Sequence, residues 1–172
     1  MKLTQKKVCM LGSFAVGKTS LVKRYVEGRF DDRYLSTIGV KISRRSVKFE
    51  ESPVNLIIWD LAGGDEFLRS NAGYLRGAAG GLLVCDLTRP QTLHAVEDYA
   101  NQLRTINPDA SIVVLGNKAD LVEQRRISDD DLEEISTMIS NCDVFLTSAK
   151  NGLNVSEAFE KLAHCMLSTN LG

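Results

Sequence analysis

The sequence predicts an α/β domain: a six-stranded, mostly parallel sheet with one antiparallel strand and helices on both faces. Two observations carry that prediction. Short apolar, β-branched runs alternate with longer segments of helical period along the whole chain, the pattern of strands joined by crossover helices. A glycine-bearing loop, Gly12 to Thr19, stands between the first apolar run and the first helical segment, the strand-to-helix turn of a doubly wound fold. The chain has 172 residues, 44% hydrophobic and 25% charged, which is room and composition for one globular domain over residues 1–172.

Taken in order, Val8–Leu11 reads as a short buried strand. Lys18–Glu27 continues as a helix with Leu21, Val22, Tyr25 and Val26 at helical spacing, stopped by Gly28. Val40–Phe49 and Val54–Trp59 read as extended segments joined by Glu50-Glu51-Ser52-Pro53, a hairpin and therefore the antiparallel part. Gly81–Cys85, Ile112–Leu115 and Val144–Leu146 are continuous apolar runs, as expected of parallel strands covered on both faces. Helices follow at about Gln91–Ile106, Asp129–Ile139 and Val155–Leu167, the last two with Ser128 and Asn154 as caps, and six strands with about five helices fit one α/β domain. The stretches Gly28–Gly39 and Leu61–Gly77 carry little pattern, and irregular connections of that length in a small domain are expected to move or to function.

Charge and cysteine usage narrow the partners. Twenty-one basic and 22 acidic side chains leave a net charge of −1, so no broad basic field is available to attract nucleic acid or anionic lipid. Cys9, Cys85, Cys142 and Cys165 lie far apart without a CxxC pair, which predicts buried free thiols, Cys165 on a buried helix face among them. Met1-Lys2-Leu3 lacks the glycine of a myristoylation signal and Val8–Leu11 is too short for a signal peptide, so the expected location is cytoplasmic. A monomer is expected. Lys41, Arg44, Arg45 and Lys48 make one strand basic, either as a solvated edge protected from pairing or as a partner site beside the loop before it.

Residues Gly12-Ser13-Phe14-Ala15-Val16-Gly17-Lys18-Thr19 match G-x-x-x-x-G-K-[ST]. Backbone N–H groups of such a loop, together with the N-terminus of the following helix, converge on one concavity suited to phosphate oxygens. Lys18 would then meet the β- and γ-phosphates and Thr19 would offer its hydroxyl to Mg²⁺. Asn117-Lys118-Ala119-Asp120, directly after a strand, selects the base. The carboxylate of Asp120 can accept from guanine N1–H and its exocyclic amine, whereas adenine has neither donor on that edge. Ser148-Ala149-Lys150 supplies a second loop whose amides could hold guanine O6. An ATPase or kinase reading fails on Asp120.

With these motifs in view, the chain resembles a small GTPase of the Ras superfamily, closest to the Rab branch, over nearly its whole length. The resemblance rests on the phosphate loop, Ser36-Thr37-Ile38-Gly39-Val40, Asp60-Leu61-Ala62-Gly63, Asn117–Asp120 and Ser148–Lys150 in the family's order. The Rab leaning rests on Thr37–Val40, Trp59 and Tyr74–Ala78. It implies that Thr37 ligates Mg²⁺ in the GTP state, that Asp60 holds the metal through water, and that the Gly63 N–H meets the γ-phosphate. Phe30 would pack edge-on against guanine, Tyr34 would cover the phosphates and Lys118 would flank the base, with Ser20 and Leu121 completing the GTP/GDP contacts. It also implies effector, exchange and activating proteins as partners, reading switch I (the stretch Gly28–Gly39, with Thr37), switch II (the stretch Leu61–Gly77) and an apolar patch of Ile42, Trp59 and Tyr74.

Three residues depart from the family's pattern, and two of them, Gly64 and Phe14, bear on hydrolysis. Gly64 stands where the family has its water-orienting glutamine, Phe14 where it has a small residue, and Leu61 where it has threonine. Gly64 either leaves space for the Phe14 ring or is simply a permissive loop residue. The expected activity is therefore slow GTP hydrolysis, the alternative being a GTP-binding interaction module with negligible turnover. The chain ends Leu167–Gly172 with no cysteine four residues from the end, so no lipid anchor is expected from this sequence.

Overall fold

The computed structural model describes residues 4–33, 37–49, 52–63, 72–140 and 142–169. Six strands form one sheet: β1 (Thr4–Gly12), β2 (Val40–Val47), β3 (Val54–Leu61), β4 (Ala78–Asp86), β5 (Ser111–Asn117) and β6 (Asp143–Leu146). The order across the sheet is β2-β3-β1-β4-β5-β6, and only β2 runs antiparallel to its neighbour. Four α-helices stand among the described residues: α1 (Lys18–Glu27), α2 (Pro90–Ile106), α3 (Asp129–Met138) and α4 (Val155–Ser168). One-turn 3₁₀ segments cover Ala72–Leu75 and Val122–Gln124.

The strands extend beyond the apolar runs that predicted them. Thr4–Lys7 is polar, yet its residues pair in register with Val54–Ile57, because a ladder is made of backbone groups and tolerates polar side chains where one face is open. Pro90 opens α2, at the position where a missing N–H costs nothing. Gly28 ends α1 in the left-handed conformation (φ 71°), its N–H bonded to the Arg24 carbonyl. Ser128 and Asp131 form a reciprocal capping box on α3. Asn154 precedes α4 as expected but does not cap it; its amide instead donates to the Leu146 carbonyl at 2.9 Å and ties the helix start to the end of β6. Of the predicted hairpin, Glu50 and Glu51 lie outside the described residues.

Alternation along the central strands divides the apolar side chains between two compartments. Val8, Met10, Leu82, Val84, Val113 and Leu115 face α1 and α4, where Leu21, Tyr25, Phe159 and Leu162 complete one core. Cys9, Leu11, Leu83, Cys85, Ile112 and Val114 face α2 and α3, packing against Val96, Tyr99, Leu103, Leu132 and Ile135. Leu61, in place of the family's threonine, is buried in this second core. At Gly80 a side chain would strike Met166 and Leu162 of α4, and at Gly81 it would strike Leu103 of α2, so helices press on bare backbone from both sides of β4. Cys9 and Cys85 are buried, but Cys142 and Cys165 are only partly so. Cys165 falls beside the inward row Leu162, Ala163 and Met166 rather than in it, which corrects its expected burial.

Tyr25 and Phe159 stack at 4.0 Å between ring centroids, and Arg45 of β2 lies over the outer face of Tyr25 while donating to its carbonyl at 2.6 Å. The edge strand is fastened to the body at this point, so Arg45 is not merely a solvated charge. Phe159→Ala should cost about 3–5 kcal/mol of unfolding free energy. Denaturant unfolding checks it: the midpoint should fall with an unchanged slope.

Candidate functional site

Parallel pairing brings the carboxyl ends of β1, β3, β4, β5 and β6 to one edge of the sheet, and β1 lies where the strand order reverses, the position at which such sheets bind ligands. A cavity of ≈340 Å³ opens there. Most of the residues singled out in the sequence line it: Phe14, Ala15, Gly17, Lys18, Thr19, Ser20, Phe30, Thr37, Gly63, Asn117, Lys118, Asp120, Leu121, Ala149 and Lys150. Gly12, Ser13, Val16, Asp60 and Ser148 stand behind that lining and contact it. Tyr34 and Gly64 lie outside the described residues. Asp31, Asp32 and Arg33 also line the cavity; nothing in the sequence pattern marked them.

At one end Lys18, 7% exposed, donates to the carbonyls of Gly12 at 3.0 Å and Ser13 at 3.3 Å. Burial pushes its ammonium down to about 8, against the opposing pull of Asp60. A Cβ on Gly63 would lie 2.8 Å from Phe14 Cα and 2.9 Å from Lys18 Nζ, so only glycine brings this backbone against the phosphate loop. The Phe14 ring is 53% exposed at the mouth.

Beside Lys18, the hydroxyls of Thr19 and Thr37 are hydrogen-bonded to each other, and Thr19 donates to Asp60 Oδ2 at 2.6 Å. Asp60 is 1% exposed and its Oδ1 has no partner among the described residues. Burial raises its carboxyl above the ordinary range, against the Thr19 hydrogen bond and the Lys18 charge. Two hydroxyls and one under-satisfied carboxylate form an all-oxygen donor set, which fits a hard divalent cation such as Mg²⁺ that keeps waters and phosphate oxygens as its other ligands. No cluster of three or more His, Cys, Asp or Glu that could hold a metal ion by itself occurs among the described residues.

At the other end Asp120 Oδ1 accepts from Ser148 Oγ at 2.8 Å, which fixes the carboxylate. Asn117 donates to the Val16 carbonyl at 3.0 Å and accepts from Thr147, so β5 and the phosphate loop are joined directly. Lys118 donates to the Ala15 carbonyl at 3.0 Å, where Ala15 holds the left-handed conformation that non-glycine residues seldom adopt. Asp86, at the end of β4, takes Lys118 at 2.9 Å and Arg89 at 3.0 Å on Oδ2, while Thr88 fills Oδ1; Arg89 in turn donates to the Phe14 carbonyl at 2.8 Å. Burial opposes ionisation of Asp86, but the hydrogen bonds from Thr88, Lys118 and Arg89 outweigh it and hold the carboxyl below its ordinary range. Asp86 and Arg89 were missed in the sequence. The carboxylate closing an apolar run was a usable sign for Asp86; Arg89 left none.

On the outer face Ile42 and Trp59 are direct cross-strand partners, and the Trp59 and Tyr74 rings lie 6.1 Å apart. The three expected apolar side chains therefore sit side by side, Ile42 at 50% and Tyr74 at 38% exposure. Lys7 sits 3.8 Å from the Trp59 ring centroid and donates to the Tyr74 and Arg76 carbonyls.

Fold and site together define a P-loop nucleotide-binding protein of the guanine-reading kind. The comparisons agree: residues 7–168 match the Ras family. The chain is 34% identical to "Ras-related protein Rab-22A" of Mus musculus over 172 residues, 99% of this chain and 88% of the relative, and equally to that of Homo sapiens. It is 34% identical to "Ras-related protein Rab-3C" of Bos taurus over 157 residues, 91% of this chain and 69% of the relative. The chain belongs to the Ras family, as a Rab-like small GTPase: a guanine-nucleotide-binding molecular switch that hydrolyses GTP and works with regulator and effector proteins. Nothing in these relatives favours a module without turnover.

With nucleotide phosphates beside it, the depressed Lys18 would couple binding to protons. Because its folded value lies below the unfolded 10.5, the unfolded chain holds more protons between about 8 and 10.5, so the protein without nucleotide gains stability as pH rises through that window and loses it as pH falls through about 8. A polyphosphate beside Lys18 restores the charged form, so binding should take up a proton in the same window and weaken as pH rises. Calorimetry of GDP binding at about pH 9 in buffers of different ionisation heat should register that uptake. In Lys18→Ala it should fall to whatever guanine itself contributes.

Proposed function

We propose that the switch operates on Mg²⁺ with GTP or GDP through Thr19, Thr37 and Asp60, and that its GTP turnover is slow. The observation that carries the reading is one cavity with two chemically distinct ends: buried Lys18 and the oxygen set at one, Asp120 held by Ser148 at the other. In this reading Gly12 to Ser20 cradle the phosphates through backbone N–H groups, Lys18 meets the β- and γ-phosphates, and Gly63 N–H meets the γ-phosphate. Phe30, Lys118 and Leu121 flank guanine, Asp120 accepts its two donors, and the loop of Ser148, Ala149 and Lys150 takes O6. Mg²⁺, held by Thr19, Thr37 and, through water, Asp60, would supply neutralisation of charge on the β- and γ-oxygens.

The switch follows from which contacts the γ-phosphate supports. Thr37 reaches Thr19, and Gly63 abuts Phe14 and Lys18, so both loops gain a partner when that phosphate is present and lose it afterwards. Partners read the difference across switch I, switch II and the Ile42, Trp59 and Tyr74 patch, where Ile42 stands in place of the family's aromatic. The protein acts as a cytoplasmic monomer, one unit over residues 1–172.

Hydrolysis requires a water aimed in line with the γ-phosphate, a positioning effect that supplies several kcal/mol in such reactions. Gly64 has no side chain to aim it. Asp65 and Glu66 are close in sequence, but ionised oxygens would be repelled by the phosphoryl group. Phe14, half-exposed at the mouth, fills volume that an incoming arginine would use. Two measurements test the reading. Asp120→Asn should lose most GTP affinity and gain xanthine nucleotides, because an amide can donate to the C2 carbonyl of xanthine; equal ATP and GTP affinity of the natural chain would refute the base assignment. Single-turnover hydrolysis should be slow in the natural chain and faster in Gly64→Gln, and a rate equal to a glutamine-bearing relative, unchanged by the substitution, would show that another group positions the water.

A further inference from the structure

Arg24 lies in the last turn of α1, outside the cavity lining, and its guanidinium reaches 125 residues along the chain to the loop after β6. Nε donates to the Ala149 carbonyl at 2.8 Å, Nη2 to the Lys150 carbonyl, and Nη1 to Gly28 at 3.4 Å. In that loop most amides are satisfied: Ser148 N–H bonds Leu153, Gly152 N–H bonds Ser148, and Asn151 N–H bonds Ser148 Oγ. The N–H groups of Ala149 and Lys150 have no partner among the described residues, although Ala149 is 4% exposed and both residues line the cavity. Lys150 is exposed, but Ala149 is buried, and a buried amide without a partner is rare enough to need a reason.

A trans peptide points its C=O and N–H in opposite directions, so a guanidinium that holds the Ala149 carbonyl on the outside turns the Lys150 N–H inward. We propose that Arg24 is a positioning residue for base selection, fixing the plane of the 149–150 peptide so that the Lys150 N–H, beside that of Ala149, is a donor for the O6 of guanine; this rests on the guanine reading of the same site. Next to these donors stands Asp120, an acceptor. A ligand edge carrying a carbonyl beside two N–H donors satisfies the row, and a free anion does not, because Asp120 would repel it. The planar fork of arginine spans two successive carbonyls in one fixed geometry, whereas a lysine ammonium acts as a rotatable point charge that does not set the planes of the peptides it holds. Without the fork, the 149–150 peptide is free to turn its carbonyl inward and present an acceptor to O6.

The test pairs substitutions at Arg24 with single-atom changes in the base. Dissociation constants are measured for GDP, for 6-thio-GDP, whose sulfur is a poor acceptor, and for IDP, which keeps O6 but lacks the amine read by Asp120. In Arg24→Ala, GDP should bind roughly tenfold more weakly, the penalty for sulfur should shrink by about threefold or more, and the IDP penalty should stay within about twofold of the natural chain. Arg24→Lys should fall between the two, and it carries the same comparison if Arg24→Ala does not fold. An unchanged sulfur penalty, or sulfur and IDP penalties shrinking together as general loosening would make them, overturns the assignment. A natural chain that binds GDP no better than ADP overturns the guanine reading itself, a result distinct from either.

Discussion

A loop that turns its amides toward one cavity must turn its carbonyls away from it, and every carbonyl so displaced needs a donor. The site is organised around that constraint. Behind the phosphate loop, Arg89 takes Phe14, Lys118 takes Ala15 and Asn117 takes Val16; behind the base loop, Arg24 takes Ala149 and Lys150. These donors come from α1, β5 and the turns after β4 and β5, so the cavity wall is held from outside by elements that never line it or line it only in part. Asp86 keeps two of the cations in place, with its carboxylate buried to 2% exposure. The left-handed Ala15, awkward for a residue with a Cβ, persists because its neighbours on both sides are fastened in this way.

The interior of the cavity has the opposite character. Lys18 is buried with a depressed ammonium, Asp60 keeps one oxygen unpartnered, and the Ala149 and Lys150 amides bond nothing in the described chain. The buried groups among these, on Lys18, Asp60 and Ala149, raise the free energy of the protein alone, and a ligand that satisfies several at once lowers it by mass action as well as by contact. Outer supports fully satisfied and inner groups unsatisfied together make a rigid receptor, since the wall cannot collapse to relieve what it encloses.

Much of this was legible in the sequence. The strands announced themselves through continuous β-branched runs, the first helix through Leu21, Val22, Tyr25 and Val26 at helical spacing, and the phosphate loop through its spacing and context. Thr37, Asp60 and Gly63 were legible only by resemblance, since no local pattern joins residues so far apart to one oxygen set. Asp86 left only the hint of a carboxylate closing an apolar run, and Arg24 and Arg89 could not be read as site residues at all. Their significance depends on which strand lies beside which, and the order β3-β1-β4-β5 is fixed by packing across the whole sheet rather than by any window of residues. Where local rules misled, as at Asn154 and Cys165, the neighbouring strand end or the exact helix face decided the outcome.

The glycine pair in β4 has a consequence for how such a chain can change. Neighbouring residues of one strand face opposite compartments, and at 80 and 81 the helices α4 and α2 lean on the same length of bare backbone from either side. Along the central strands the apolar side chains are otherwise divided between the two faces of the sheet, each set packing within its own compartment. The fold is in effect two half-cores with a party wall. Each can drift in its own repertoire of leucines, valines and aromatics, answerable only to itself, while the thin stretch of wall at the glycines is common property that neither side can rebuild without the other's consent.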